Sequence, residues 1–441
     1  MTPLQQIEKA PSPSGLQFPT PAHTRNNQKT IRVALAGCGV VGGGLVRLLS
    51  ESAPAIASRY GVRFVITRVL VRDTGRDRNL PIDSHLFTND LNSFLANDAD
   101  VVIEAVGGEE PARTIAISAL ARGRKLITAN KELISAHAET LQELATLNRT
   151  GLDFGAAVGG SAPVISTLRD LVGASAPLSV RGILNGTSNF VISEIEHGST
   201  LEAALSEARE RGLAEADCAR DLDGSDAAAK LSIIAWIAFG VRPTDLNVRR
   251  VSLIPGLETL VRLAAGAGGR LRLLGECSQL DGHRITAAVE PVIVSHTSTF
   301  GRTRREENRV EVDLGWSSPL SVSGPGAGGA PTAAALLSDL VRFTSPPNDR
   351  GREAARFVSV SDWRGHRWLV GARVQPDVLT ALATAARLTA ADASVSDGVA
   401  WLVTDPANRE CAQRLVNALH KLGAEPLIAR YEIAQKEGWD S

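Results

Sequence analysis

At 441 residues the chain is longer than one hydrophobic core usually serves, so two or three domains are expected. Hydrophobic residues make up 44 % and charged residues 22 %, a balance that excludes a largely disordered chain. With 47 basic against 48 acidic residues the net charge is −1, which argues against a general affinity for nucleic acid or membrane and favours a small-molecule partner.

Residues 1–30, with PSPSG and FPTPAH, are rich in Pro, Ser and Thr and lack a signal-peptide apolar core; they read as a disordered tail. No run of 18 apolar residues follows, so no conventional membrane span is expected. Cys38, Cys218, Cys277 and Cys411 are far apart and form no C-x-x-C pair. That argues against a zinc knuckle or disulfide framework and fits a reducing cytoplasm.

From Ile31 the run IRVALAG reads as a strand, CGVVGGG as a turn and LVRLLSE as the start of a helix. Gly37, Gly39 and Gly42 form G-x-G-x-x-G at that junction, with Val40 and Val41 between them. In this context the motif predicts a dinucleotide site: a tight turn, backbone close to a pyrophosphate, and a helix N-terminus facing the anion. After the second strand (64–71) stands Arg72, where an acid would suit the ribose of NAD. An arginine suits a 2′-phosphate and favours NADP, although the adjacent Asp73 keeps NAD open. Strands at 99–106 and 125–130, each followed by a helix, and GLDFGAAV continue the alternation. The expected architecture here is α/β, a Rossmann-type parallel sheet covered on both faces.

After about residue 160 the rhythm changes. STLEAALSEARERG reads as a helix with Ser199 and Glu202 at capping-box spacing and Gly212 at its stop. Strands at 283–294 and 308–314 suggest an α+β domain, and SGPGAGGAPT a glycine-rich turn before a helix. Beyond SPPNDRG (345–351) the order βαββαβ predicts a ferredoxin-like module.

Residues 212–230 read GLAEADCARDLDGSDAAAK. Glu215, Asp217, Asp221, Asp223 and Asp226 precede a single Lys230, which leads into LSIIAWIAFG. Asp226 and Lys230 are four apart and share a helix face. They could be a dipole-favoured aspartate and an ion pair worth about 0.2–0.5 kcal/mol beside a solvated loop. Equally, a lysine on a mostly buried helix needs partners and can have a lowered pKa, which suits a proton donor near neutral pH. The residues alone leave both readings open.

The stretch nevertheless resembles the signature of homoserine dehydrogenases, with Ala208, Gly212, Asp217, Asp221, Gly224, Asp226 and Lys230 in register. TANKEL (128–133), GGSAPVISTLR (159–169), NGTSNF (185–190) and GAGGAPTAA (326–334) resemble further blocks in the family's order, so the resemblance covers roughly 31–345. It implies reversible reduction of L-aspartate 4-semialdehyde to L-homoserine with a nicotinamide cofactor. On the matching positions it implies Lys230 as proton donor, Asp226 as its orienting partner, and Lys131 near cofactor and substrate. Glu215 and Asp221 would hold the substrate, and Gly328 would return to the cofactor. The implied domains are 31–160 for the dinucleotide, completed by 318–345, then 161–317 for substrate and dimerisation, and 352–441 for regulation. A homodimer or homotetramer is implied as well.

Three departures matter. Cys218 stands where the signature has proline, which loosens the loop. A cysteine-dependent semialdehyde dehydrogenase is the alternative it raises, but only His197 lies near it as a base; a non-catalytic NADP-binding sensor is the other alternative. Gly155 stands where the family often has glutamate, in a segment framing a monovalent cation such as Na+; carbonyls around Val158, Gly160 and Ala162 would hold it. The last module resembles an ACT domain, with Asp377 in QPDVL where glycine is common, and that resemblance implies an amino-acid effector such as threonine.

Overall fold

The computed structural model describes residues 29–173, 176–214, 219–281, 284–315, 318–326, 328–342, 356–357, 366–407 and 409–432. The first region contains β1 (Lys29–Ala36), α1 (Val40–Tyr60), β2 (Val62–Leu70), β3 (Phe87–Thr88), α2 (Leu91–Ala96) and β4 (Val101–Glu104). It continues with α3 (Ala112–Ala121), β5 (Lys125–Thr128), α4 (Lys131–Leu147) and β6 (Leu152–Asp153). All six strands are parallel, in the order β3-β2-β1-β4-β5-β6. β1 is apolar on both faces because both are covered: Val33 and Leu35 join one buried cluster, Ala34 and Ala36 the other. The strand order reverses between β1 and β4, the switch point at whose strand C-termini such sheets take their ligands.

The second region holds α5 (Val164–Val172), β7 (Ser179–Ile183), α6 (Gly186–Glu196), α7 (Leu201–Glu210), α8 (Ala219–Leu222) and α9 (Ser225–Phe239). After it come β8 (Arg249–Arg250), α10 (Leu257–Gly266), β9 (Gly269–Asp281), β10 (Arg284–Ser295), α11 (Thr299–Arg302), β11 (Glu307–Asp313) and β12 (Leu320–Pro325). Helix α12 (Gly329–Arg342) then returns to the first region and packs on α1, where Ala333 Cβ would lie 3.1 Å from a Cβ placed at Gly44. The cap of α7 is Thr200, whose hydroxyl accepts from Ala203 N at 3.2 Å, and not Ser199 as the capping-box spacing suggested. β9 lies where the sequence reading placed no strand. Its Arg270 and Arg272 interrupt the apolar pattern, yet Arg272 is fully buried, bound to Glu196 and to the carbonyls of Phe300 and Thr303.

The last region has β13 (Arg356–Phe357), β14 (Arg367–Ala372), α13 (Pro376–Ala385), β15 (Ala390–Ser396), β16 (Val399–Thr404), α14 (Arg409–Lys421) and β17 (Leu427–Tyr431). Strand order β17-β14-β16-β15 makes the βαββαβ module ferredoxin-like. The module does not stand apart: β17 pairs in parallel with β10, so one sheet runs from β12 to β15. No helix among the described residues is long and apolar enough to cross a membrane.

Candidate active site

The glycine loop lies between β1 and α1. Gly37 has φ +90°, and a Cβ there would sit 2.4 Å from Ala105 O; one on Gly42 would sit 2.0 Å from Gly37 O. Neither position admits a side chain, whereas Gly39, the N-cap of α1, faces open space. No side chain caps α1, so its first N–H groups are free for an anion. Val40, 80 % exposed, tops the loop, and the less exposed Val41 packs against the core beneath it. The entry turn of α12 comes back here, with Gly328 at φ +115°; a Cβ on Gly329 would lie 2.2 Å from Val40 Cγ1. Gly329, unassigned from sequence, makes the closer approach; the doubled glycine of GAGG was its only signal.

Arg72 is exposed just past β2. In the following loop Asp73 accepts from Gly75 N and Asp77 from Asn79 N, each at 2.9 Å. Arg78 ties the loop together by donating to Arg76 O and Asp73 O while lying over the Phe87 ring. Both loop acids are thus engaged by backbone, and Arg72 pairs with no carboxylate among the described residues.

Helix α9 packs on α4 and is entered through Gly224 at φ +80° and closed by Gly240 at φ +73°. It is apolar nearly all round, as a buried helix should be. Asp226, in its first turn, is 7 % exposed and reached by three donors. Lys230 Nζ is 2.7 Å from its Oδ2, Lys131 Nζ 3.0 Å from its Oδ1, and Asn185 Nδ2 donates to Oδ2 at 2.8 Å. Lys230 also donates to Leu184 O at 2.9 Å. Burial opposes ionisation of Asp226, but the charges of Lys230 and then Lys131 hold it well below the usual carboxylate range. Asn185 donates in addition to Asp221 Oδ1 at 2.7 Å. Burial pushes Asp221 up, partly offset by that hydrogen bond, and Asp226 adds repulsion.

Lys131, Asp221, Asp226 and Lys230 therefore meet in space. Lys131 arrives as the first residue of α4, capped by Asn130, whose side chain accepts from Glu132 N and Leu133 N. Glu215 and Cys218 lie outside the described residues. Asn185, which joins the two aspartates, had no role assigned from sequence; as the N-cap of α6 it reads first as a helix start.

The segment after β6 turns through Gly155–Ala157 to Gly159 and Gly160, both left-handed. Val158 and Gly160 are buried, and no hydrogen bond among the described residues reaches their carbonyl oxygens; the Ala162 carbonyl accepts from Val164 N. Buried, unengaged backbone oxygens suit a hard cation. No cluster of His, Cys, Asp and Glu suited to a metal occurs among the described residues.

A parallel sheet of order 3-2-1-4-5-6 with a glycine loop at its switch point, facing two lysines on a shared carboxylate, defines a nicotinamide-dependent oxidoreductase. The family described as "Homoserine dehydrogenase, NAD binding domain" matches residues 37–154, and "Homoserine dehydrogenase" matches 163–341. The homoserine dehydrogenase of Mycobacterium tuberculosis is 33 % identical over 408 residues, covering 89 % of this chain and 92 % of the relative. Among solved structures, a homoserine dehydrogenase from Thiobacillus denitrificans has a TM-score of 0.81 at 28 % identity, over 92 % of this chain and 98 % of that one. A hyperthermophilic archaeal homoserine dehydrogenase in complex with NADPH shares the fold, at TM-score 0.62 and 21 % identity over 73 % of this chain and all of that one. The chain belongs to the homoserine dehydrogenase family.

Proposed function

We propose that the chain interconverts L-aspartate 4-semialdehyde and L-homoserine with NADPH as the preferred cofactor, Lys230 donating the proton. The observation that carries this reading is the donor count at Lys230. An ammonium has three N–H bonds; one goes to Asp226 and one to Leu184 O, and among the described residues nothing takes the third, which is left for a substrate oxygen. The bound nicotinamide supplies the hydride. As the carbonyl oxygen gains charge, Lys230 stabilises it and delivers the proton. Asp226 keeps Lys230 cationic and aimed, and Lys131 shares that carboxylate from the cofactor side. Asp221, with Glu215, takes the substrate's α-ammonium, a charge that would hold the raised Asp221 ionised.

Arg72, just past β2 and paired with no carboxylate among the described residues, supports a 2′-phosphate and so NADP. The Val158 and Gly160 carbonyls, with that of Ala162, fit a monovalent cation such as Na+. The ferredoxin-like module is proposed to take an amino-acid effector, threonine being the first to try. Membership of the family speaks against both the cysteine-dependent alternative and a sensor without catalysis.

The test is homoserine oxidation at saturating NADP+ and, separately, NAD+. Lys230→Ala should lose about 10²- to 10⁴-fold in kcat while NADPH still binds, as followed by its fluorescence. Turnover that survives the substitution would remove Lys230 from the reaction. A parent protein that binds NADPH and turns over neither substrate would remove the reaction itself.

A further inference from the structure

Glu104 closes β4 and is fully buried, and no cation pairs with it among the described residues. Burial pushes its carboxyl up from the ordinary value, against hydrogen bonds from Thr128, Val106 and Gly107 that oppose the shift. An uncompensated buried carboxylate is costly to keep unless its contacts are needed.

Its two oxygens face two parts of the site. Oε1 accepts from Val106 N at 2.8 Å and Gly107 N at 3.3 Å, fixing a turn in which Gly107 and Gly108 are left-handed. That turn abuts the cofactor loop, since Ala105 O is the atom that forbids a side chain at Gly37. Oε2 accepts from the Thr128 hydroxyl, whose oxygen accepts in turn from Asn130 N at 2.9 Å. Asn130 caps α4 and donates from Nδ2 to Gly108 O at 2.6 Å, closing the circuit. The next residue is Lys131.

We propose that Glu104 is a positioning residue: it ties the turn under the glycine loop to the cap that aims Lys131 at Asp226. This rests on the reading of Lys131 as part of the reaction. The chemistry requires an acceptor at Oε2. With its oxygen taken by Asn130 N–H, the Thr128 hydroxyl offers its proton towards Glu104, and a carboxamide nitrogen there would meet it donor to donor.

The experiment is a kinetic double-mutant cycle on the full chain, using Glu104→Gln, Lys131→Met and the pair, with homoserine oxidation followed at saturating NADP+. Glu104→Gln should lower kcat about tenfold, the loss expected for one disrupted buried hydrogen bond, with the KM for homoserine nearly unchanged. In the Lys131→Met background the same change should cost less than about twofold. An equal tenfold loss in both backgrounds, or no loss in either, would overturn the proposal. A Lys131→Met variant that turns over as fast as the parent would instead sink the reading of Lys131. Should Glu104→Gln not fold, Thr128→Val deletes the hydroxyl while keeping its shape, and it replaces Glu104→Gln in the same cycle with the same two outcomes.

Discussion

Asp226 shows how one side chain can organise a site: two lysines and an amide converge on a single carboxylate that is nearly shielded from water. A second buried acid behaves oppositely. Asp339 on α12 is 2 % exposed and accepts from Ala156 N at 3.2 Å, with Arg342 only at 3.8 Å. Burial, followed by the charge of Asp153, pushes it up to about 7. The folded chain then keeps a proton that the unfolded chain releases near pH 4, so stability falls as pH rises from about 4 to about 7 and levels off above. Asp339→Asn keeps an oxygen for Ala156 N and removes a penalty of at most about 4 kcal/mol. Its melting temperature should exceed the parent's by several degrees at pH 8 and by much less at pH 5. A difference independent of pH would show that Asp339 ionises normally. Nothing in the local sequence SDLV marks this residue; only the return of α12 onto Gly155 buries it.

At the scale of elements, the glycine loop was legible because Gly37 and Gly42 each have a mechanical cause, and α9 because its glycines and its apolar run bound it clearly. β9 was not, since a buried Arg272 looks polar until Glu196 and three carbonyls are brought to it from α6 and the α11 segment. The loop after β2 is intermediate: from sequence the adjacent Asp73 kept NAD open, whereas the fold engages Asp73 and Asp77 in turns of their own. Arg72→Ser should therefore raise the KM for NADP+ about tenfold or more, the worth of a charge-assisted contact, with little effect on NAD+. Equal change for both cofactors would mean that Arg72 does not read the phosphate.

For the whole molecule, the seam between β10 and β17 decides how the last module can act. Arg430, 1 % exposed on β17, lies 2.6 Å from Glu276 and 3.4 Å from Glu290, while Arg409 of α14 lies 2.5 Å from Glu290. Arg430 and Arg181 hold Glu276 down at about 2 despite its burial. The other face of β10 meets the entry of α9, where Val289 Cγ1 would lie 3.0 Å from a Cβ on Gly224. A ligand on the module would thus have a packed route to α9. Threonine should shift the rate or melting temperature of the full chain; no effect on either would remove it as the effector. A chain ended at residue 350 is a poor control, because it takes Arg430 from Glu276 and both Arg430 and Arg409 from Glu290, leaving these buried glutamates to Arg181 and Arg249, and it should unfold at lower denaturant than the full chain.

The sequence by itself determined the alternation of strands and helices, the glycine turns, the order βαββαβ and the i,i+4 pair of Asp226 and Lys230, because these depend on neighbours a few residues apart. Only the tertiary structure decided that Lys131 shares Asp226, that Asn185 joins Asp221 to it, and that β17 extends the sheet through β10. Those contacts join residues dozens to more than a hundred positions apart, and the burial that gives them strength exists only once the sheet and α9 have closed around them.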